Sequence, residues 1–466
     1  MTKKEKPIKD LYFIGIKGVA MTGLAVMAKK LGFNVSGSDV PDKFITDEVL
    51  HKNNIAINEG FNAQNLDQKP DVVIISAAYG AQNPEVKAAK TKKIKSLSMS
   101  ELLGSFIAKY EGVGVAGIHG KTTTTSLITL ILKNAGFSPS YMIGTGHVPG
   151  LDSSSDIGDG KFFIVESDEY KKSDEDLSPK FLDYPVKHAV ITSIELDHPD
   201  VFSTAEEVYG AFYKFVLKIP RDGSIVACTD WPLVRRLVSR MVDRKVITYG
   251  FAANSSYQIT DFKEGEQTEF KIRTKDGVIG PITISLPGRH NALNATAALA
   301  MCLKLGVSEQ KIIETLSKIR SPERRFEYLG EFNGAKFYDD YAHHPTAIDY
   351  LIESAKNRFE GKNIIVVFQP HTYSRTGKFL KEFAKSLSKA DQLLLLNIWA
   401  SAREKSGYVT IKDLIVELKK YRNDFEYRST IDEAAQFLAG SVSEKDVVLL
   451  VGAGDVYKIF QKLNDK

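Results

Sequence analysis

Apolar residues along this chain fall into short runs, each closed by a glycine-bearing turn and followed by a longer stretch with helical spacing. Leu11 to Ile16 is such a run; Ala20 to Leu31 repeats apolar positions at three- and four-residue intervals, and Gly32 stops it. The runs predict buried strands and the intervals predict amphipathic helices. Phe33 to Ser38 and Asp71 to Ser76 read as further strands. A second series predicts strands at Val113–Ala116, Lys161–Val165, Ala189–Ile194, Ser224–Cys228 and Lys245–Tyr249, a helix over Thr123–Asn134 and an Ala-rich helix over Asn291–Leu305. Between residues 255 and 287 polar and apolar residues alternate around turns, which predicts an antiparallel patch. Beyond Ser321-Pro322-Glu323 the alternation resumes, with strands at Lys362–Phe368, Gln392–Asn397 and Asp446–Val451 and helices at Lys378–Lys389 and Ile411–Lys420. Strand alternating with helix implies parallel sheets, here in three successive α/β units.

The composition is 43% hydrophobic and 26% charged over 466 residues, the balance of a soluble globular protein of about three domains. A net charge of +4 gives no case for nucleic acid, although a local basic patch could still meet an anionic substrate. Only Cys228 and Cys302 are present, so no disulfide framework or cysteine metal site is readable, which suits a reducing cytoplasm. The start, Met1 to Asp10, is lysine-rich but runs into a strand instead of an apolar leader, and no run approaches membrane-spanning length.

Residues 114–125, Gly-Val-Ala-Gly-Ile-His-Gly-Lys-Thr-Thr-Thr-Thr, carry the strongest chemical signal. A strand runs into Gly117, His119 and Gly120, and Lys121, Thr122 and Thr123 stand at a helix entrance. The glycines let amides approach phosphate oxygens, the helix end and Lys121 supply positive charge, and the Thr122 hydroxyl can ligate Mg²⁺. The spacing is the short G-x-x-G-K-T-T, because Val115 stands where the longer phosphate loop needs glycine. Gly15 and Gly18, with Asp39 about twenty residues on, form a weaker glycine turn. Lys17 occupies the second glycine position and Val19 or Ala20 the third. That argues against a nicotinamide site and for another phosphate compound at a helix N-terminus.

Other polar groups gather where strands end, the side of a parallel sheet on which ligands lie. Glu166-Ser-Asp-Glu169 and Glu195-Leu-Asp-His198 each follow a strand; Glu166 and His198 are the candidate metal ligands, whereas Asp174, Glu175 and Asp176 read as a solvated acidic run. His290 precedes the Ala-rich helix and Asn291 and Asn294 share one face of its first turn, where capping and contact with a nucleotide base are both open. Arg325 is followed by Tyr338-Asp-Asp-Tyr-Ala-His-His344, and Phe368-Gln-Pro-His371-Thr-Tyr-Ser-Arg375 follows a strand, so that Arg375 could fork onto a carboxylate.

Taken in order, residues 117–124, 286–294, 324–330, 339–346 and 368–376 resemble the Mur ligases, ATP-dependent amino acid ligases of peptidoglycan synthesis. The resemblance implies a Rossmann-like UDP-sugar domain at 1–108, a central P-loop ATPase domain with a mixed sheet at 109–320 and a Rossmann-like amino-acid domain at 321–466. It implies a cytoplasmic enzyme, monomer or homodimer, acting on UDP-N-acetylmuramate, ATP and L-alanine with Mg²⁺ (or Mn²⁺). Gly15, Lys17, Gly18, Val19, Ala20 and Asp39 would face the UDP-sugar. Gly117, His119, Gly120, Lys121, Thr122, Thr123, His290, Asn291, Asn294, Arg325 and Asp340 would hold ATP, and Thr122, Glu166 and His198 the metal. Tyr341, His343 and Arg375 would place the amino acid, with Lys121, His198, His343 and Arg375 the catalytic set. Segments 166–170 and 180–202 lean toward the branch that recycles murein tripeptide, and Thr372 stands where the alanine branch carries arginine. The alternative substrate is therefore the tripeptide.

Overall fold

A computed structural model describes residues 7–400, 404 and 406–465. The lysine-rich start is described only from residue 7, so residues 1–6 of that reading lie outside the described residues. The chain forms three α/β domains, with sheets of five, ten and six strands. The first sheet is all parallel, in the order Ala56–Glu59, Asn34–Asp39, Asp10–Ile14, Val72–Ile75, Lys95–Ser98. In the second, Glu111–Ala116 lies between His188–Ile191 and Phe162–Glu166, parallel to both. The expected antiparallel patch is its outer edge, formed by Tyr257–Lys263, Thr268–Thr274 and Gly277–Ile284. In the third, Asp446–Val451 runs parallel between Ala335–Asp340 and Asn363–Phe368, and one antiparallel strand, Glu327–Phe332, closes the edge.

The helix Lys121–Asn134 shows how a threonine-rich segment becomes a core helix. Thr122 to Leu132 are all buried, and β-branched polar residues are poor helix formers when their hydroxyls lack partners. Here Thr125, Ser126 and Thr129 each donate to the carbonyl four residues back, at 2.8 Å. The helix packs on Arg289–Lys304, whose buried Ala295, Ala297, Ala298 and Ala300 admit close approach.

One hydrophobic core is continuous between the first two units, running from Leu11, Phe13 and Phe106 to Phe181, Phe212 and Phe215. The third unit has two cores of its own, around Phe368 and Phe383 and around Phe337 and Leu450. Two predicted elements differ from the structure. The strand expected at Ala189–Ile194 ends at Ile191, and the chain then runs on as the loop bearing Glu195 to His198. The helix expected at Lys378–Lys389 is two helices, Tyr373–Lys378 and Leu380–Leu387, hinged at Phe379.

Candidate active site

The strand Glu111–Ala116 ends in Gly117, and a Cβ there would lie 2.0 Å from Thr192 Oγ1, so the loop can pass this close to its neighbour only as glycine. Gly120 is left-handed (φ 78°), and its Cβ would lie 2.2 Å from Asn294 Oδ1. The turn thus delivers Lys121 and Thr122 to a buried helix N-terminus between two strand ends that carry acids. Lys121 Nζ donates to the Gly117 carbonyl (2.6 Å) and to both oxygens of Glu169 (2.9 and 2.8 Å), a carboxylate with no exposed surface. Burial pulls the Lys121 ammonium down, but Glu169, Asp168 and Glu166 outweigh it and hold the group above its ordinary range.

Thr122 Oγ1 donates to Glu166 (3.1 Å), which also accepts from the Gly144 amide (2.8 Å). Burial raises the Glu166 carboxyl against Lys121, so a further cation beside it would favour its charged form. His198, in the left-handed region (φ 52°), turns Nε2 onto Glu169 Oε1 at 3.2 Å. Of the three metal candidates, Thr122 and Glu166 are therefore joined, while His198 meets Glu169. Ligand atoms of Asp168, Glu169 and His198 lie within 4.8 Å of one another. Carboxylate and hydroxyl oxygens with one imidazole fit Mg²⁺ or Mn²⁺.

Of the nucleotide candidates, Asn294 and Arg325 reach the same loop directly. Asn294 Nδ2 donates to Asn291 Oδ1 (3.1 Å), Asn291 Nδ2 to the Pro287 carbonyl (2.6 Å), and Thr124 Oγ1 to Asn294 Oδ1 (3.3 Å). This pair braces the Gly120 turn. His290 stacks on Tyr350 at 5.8 Å, and burial pushes it down to about 4. A side pocket beside it is lined by Trp231, Phe251, Arg289 and Leu293. Trp231 was missed by the sequence reading, although it follows the strand Ser224–Cys228 as the other site residues follow theirs. Arg325 crosses from the third unit, Nη2 donating to Thr122 Oγ1 at 3.2 Å. Asp340 accepts from the Phe326 and Ala342 amides, both at 2.8 Å, and so shapes the loop it shares with Tyr341.

His343 is half-buried, and desolvation beside Arg375 holds it well below its usual range, hence neutral; its Nδ1 contacts the Tyr341 carbonyl at 2.8 Å. All three nitrogens of Arg375 are engaged: Nε and Nη2 with Asp197 Oδ1 (both 2.9 Å), Nη1 with His371 Nδ1 (3.1 Å). Asp197 was not singled out from sequence. In this state Arg375 pins the third unit to the central one.

At the amino-terminal turn the helix starts at Val19 with Gly18 as cap, and Val19 and Ala20 line the main cavity. Gly15 (φ 82°) sits against the Tyr79 ring. The Lys17 ammonium is folded onto the Val40 and Asp42 carbonyls (3.1 and 2.9 Å), 3.5 Å from Asp47. Asp39 is likewise engaged by the Lys17 amide (2.7 Å) and Tyr79 hydroxyl (2.9 Å). Both brace the 40–47 loop in this state.

Val19, Lys121, Glu166, His198, Asn294, Arg325, His343 and Arg375 border one cavity of about 1460 Å³, walled by residues of all three units, whereas Gly15, Lys17, Asp39 and Glu169 lie outside its lining. A phosphate loop whose cavity is shared by three α/β units is the build of a nucleotide-driven enzyme that joins two other substrates. Comparison with known proteins identifies which: residues 10–111 match the Mur ligase family, catalytic domain, residues 115–302 the Mur ligase middle domain, and residues 324–454 the Mur ligase, glutamate ligase domain. The chain belongs to the Mur ligase family. A UDP-N-acetylmuramate–L-alanine ligase of Desulfitobacterium hafniense is 38% identical over 97% of this chain and 99% of its own. The solved UDP-N-acetylmuramate–alanine ligase of Thermotoga maritima superposes with TM-score 0.79 at 25% identity, covering 98% of each chain. A murein peptide ligase of Psychrobacter arcticus shares the fold, with TM-score 0.72 at 24% identity over 98% of each chain.

Proposed function

We propose that this chain is an ATP-dependent ligase that joins L-alanine to the carboxylate of UDP-N-acetylmuramate, a cytoplasmic step of peptidoglycan precursor synthesis. The full-length 38% identity to a ligase of that description carries the reading, and the shared cavity gives it a mechanism. The substrate carboxylate attacks the γ-phosphate of ATP, giving an acyl phosphate and ADP; the amine of alanine then attacks the acyl carbon and phosphate leaves. Charge spreads over the γ-phosphoryl oxygens in the first step, so positioned positive groups are what the site must supply.

Lys121 and Arg325 are those groups in this chain, both beside Thr122 at the helix N-terminus. A divalent cation held by Thr122, Glu166, Glu169 and His198 would neutralise phosphate charge. His290, Asn291 and Asn294 flank the nucleotide, and neutral His343 with Tyr341 faces the incoming amine. The amino-terminal turn, through Val19 and Ala20, receives the UDP-sugar. Arg375 serves the amino acid carboxylate only by exchanging it for Asp197, or by holding the third unit closed around it.

The test is ADP release by the purified enzyme with UDP-N-acetylmuramate against L-alanine, glycine, L-serine and the murein tripeptide. L-Alanine is expected to be preferred. Preference for the tripeptide would transfer the chain to the recycling branch, and no ADP release with any amine would reject the ligase reading.

A further inference from the structure

A second cluster, sharing no residue with the one at Glu169, includes a residue of the phosphate loop. His119 of the loop, Glu195 beyond the strand His188–Ile191, and His344 ahead of the helix Pro345–Arg358 each bring one ligand atom within 4.8 Å of the others. His119 Nε2 contacts Glu195 Oε1, and His344 Nδ1 lies 3.7 Å from that same oxygen. The ligase reading gives His119 a nucleotide contact and uses neither Glu195 nor His344.

The hydrogen bonds around His344 define its tautomer. Nε2 donates to the Leu196 carbonyl at 3.1 Å, and the Thr346 amide donates to Nδ1 at 3.3 Å. The proton is on Nε2, and Nδ1 carries the lone pair, taken up by the Thr346 amide with Glu195 Oε1 3.7 Å away. A ring nitrogen fixed by a backbone carbonyl is the support that metal-binding histidines use. Burial keeps His344 below its ordinary range and so favours the neutral, ligating form. Glu195 is steadied by Thr346 Oγ1 on its other oxygen, at 3.2 Å. Ligation would displace the long Thr346 amide contact and the His119–Glu195 hydrogen bond.

Two imidazoles, which are borderline donors, with one carboxylate make a set that favours Zn²⁺, Co²⁺ or Ni²⁺ over Mg²⁺ and leaves further positions open. The oxygen-rich cluster at Asp168 and Glu169 has the opposite preference. We propose that His119, Glu195 and His344 form a site for a borderline transition-metal ion, separate from the magnesium cluster, which ties the third unit to the phosphate loop. The three ligands come from the phosphate loop, a central-sheet loop and the third unit, so the bound ion would hold those parts together.

The test is a Co²⁺ titration of the full-length, metal-free protein with magnesium in large excess, read by visible d–d absorption and by displacement with Zn²⁺. One equivalent of tightly bound Co²⁺ is expected. Glu195→Gln and His344→Gln should each weaken binding by at least the ~10–100-fold that loss of a supporting group alone costs a metal site. Glu169→Gln should leave it unchanged. Circular dichroism and thermal unfolding establish that each variant is folded; if one is not, His119→Asn takes its place. Absence of a Co²⁺ band in the folded wild type, its survival in the Glu195 and His344 variants, or its loss in Glu169→Gln overturns the site. The readout is metal binding alone, so it stands or falls apart from the ligase assay.

Discussion

Replacing Arg375 by alanine should loosen the third unit by an amount the structure sets. The Asp197 and Arg375 side chains are each 6% exposed, so solvent screens the pair little. Removing one partner of a buried ion pair costs about 3–5 kcal/mol, chiefly because the other charge stays buried. Asp197 keeps the bond from its neighbour's amide, His198 N to Oδ1 at 2.7 Å, which places the expectation at the lower end, ~3 kcal/mol or about two decades in an equilibrium constant. Native-state hydrogen exchange over residues 192–198 and the helix Tyr373–Lys378 reads the opening directly. A double-mutant cycle with Asp197→Asn isolates the pair, with a coupling of ~2 kcal/mol expected. The pH dependence is a second check. Burial would raise Asp197, but Arg375, His198, His344 and His343 outweigh it and hold its carboxyl well below the ordinary range. In the wild type the contribution is therefore present above the unfolded carboxyl value, about 3.9, and is lost only as pH falls below that. In Arg375→Ala the unpaired carboxyl rises, protonates on mild acidification and relieves the cost, so the gap to wild type narrows toward pH ~4. Coupling below ~0.5 kcal/mol, or a gap that widens in acid, refutes the clamp.

Three further outcomes follow from the same geometry. Lys121→Ala should lower ligation by about 10³-fold or more while the fold survives, measured as ADP release beside circular dichroism; near-normal turnover would remove the phosphate loop from the chemistry. Gly120→Ala drives a Cβ toward Asn294 Oδ1 at 2.2 Å in a left-handed turn. It should cost ~1–2 kcal/mol in stability and weaken ATP binding by calorimetry, and Asn294→Ala in the same chain should add less than its separate effect. Burial lowers His290 and His371 each to about 4. The unfolded chain then binds protons that the folded chain refuses, and stability falls as pH drops from ~6.5 to 4; His371→Gln should flatten that slope in thermal melts, and an unchanged slope would contradict it.

The sheets and the phosphate loop were legible because their signals are local: apolar runs, glycines at fixed offsets, and a lysine at a helix entrance. The loop's own partners were less so. That Lys121 chooses Glu169, not Glu166, depends on a non-helical run whose path no spacing rule gives. Arg375 finds Asp197 across 178 residues, and His198 reaches Glu169 only because its backbone is left-handed. The contacts of Lys17 with the Val40 and Asp42 carbonyls were not legible either, because they belong to a loop that sequence alone leaves unshaped.

The division of the hydrophobic cores has a consequence for how such an enzyme can change. The first two units are welded by one continuous core, whereas the third carries its own and meets the centre through polar links such as Arg325–Thr122, Arg375–Asp197 and Arg358 to the Ser285 carbonyl. Substitutions that remodel the third unit's own cores, away from His344 and Tyr350, leave the packing of the first two units untouched. On the proposed reading, in which the third unit places the amine, that part can drift, or be exchanged between relatives as a cassette, provided the polar links and ring contacts at its rim are preserved.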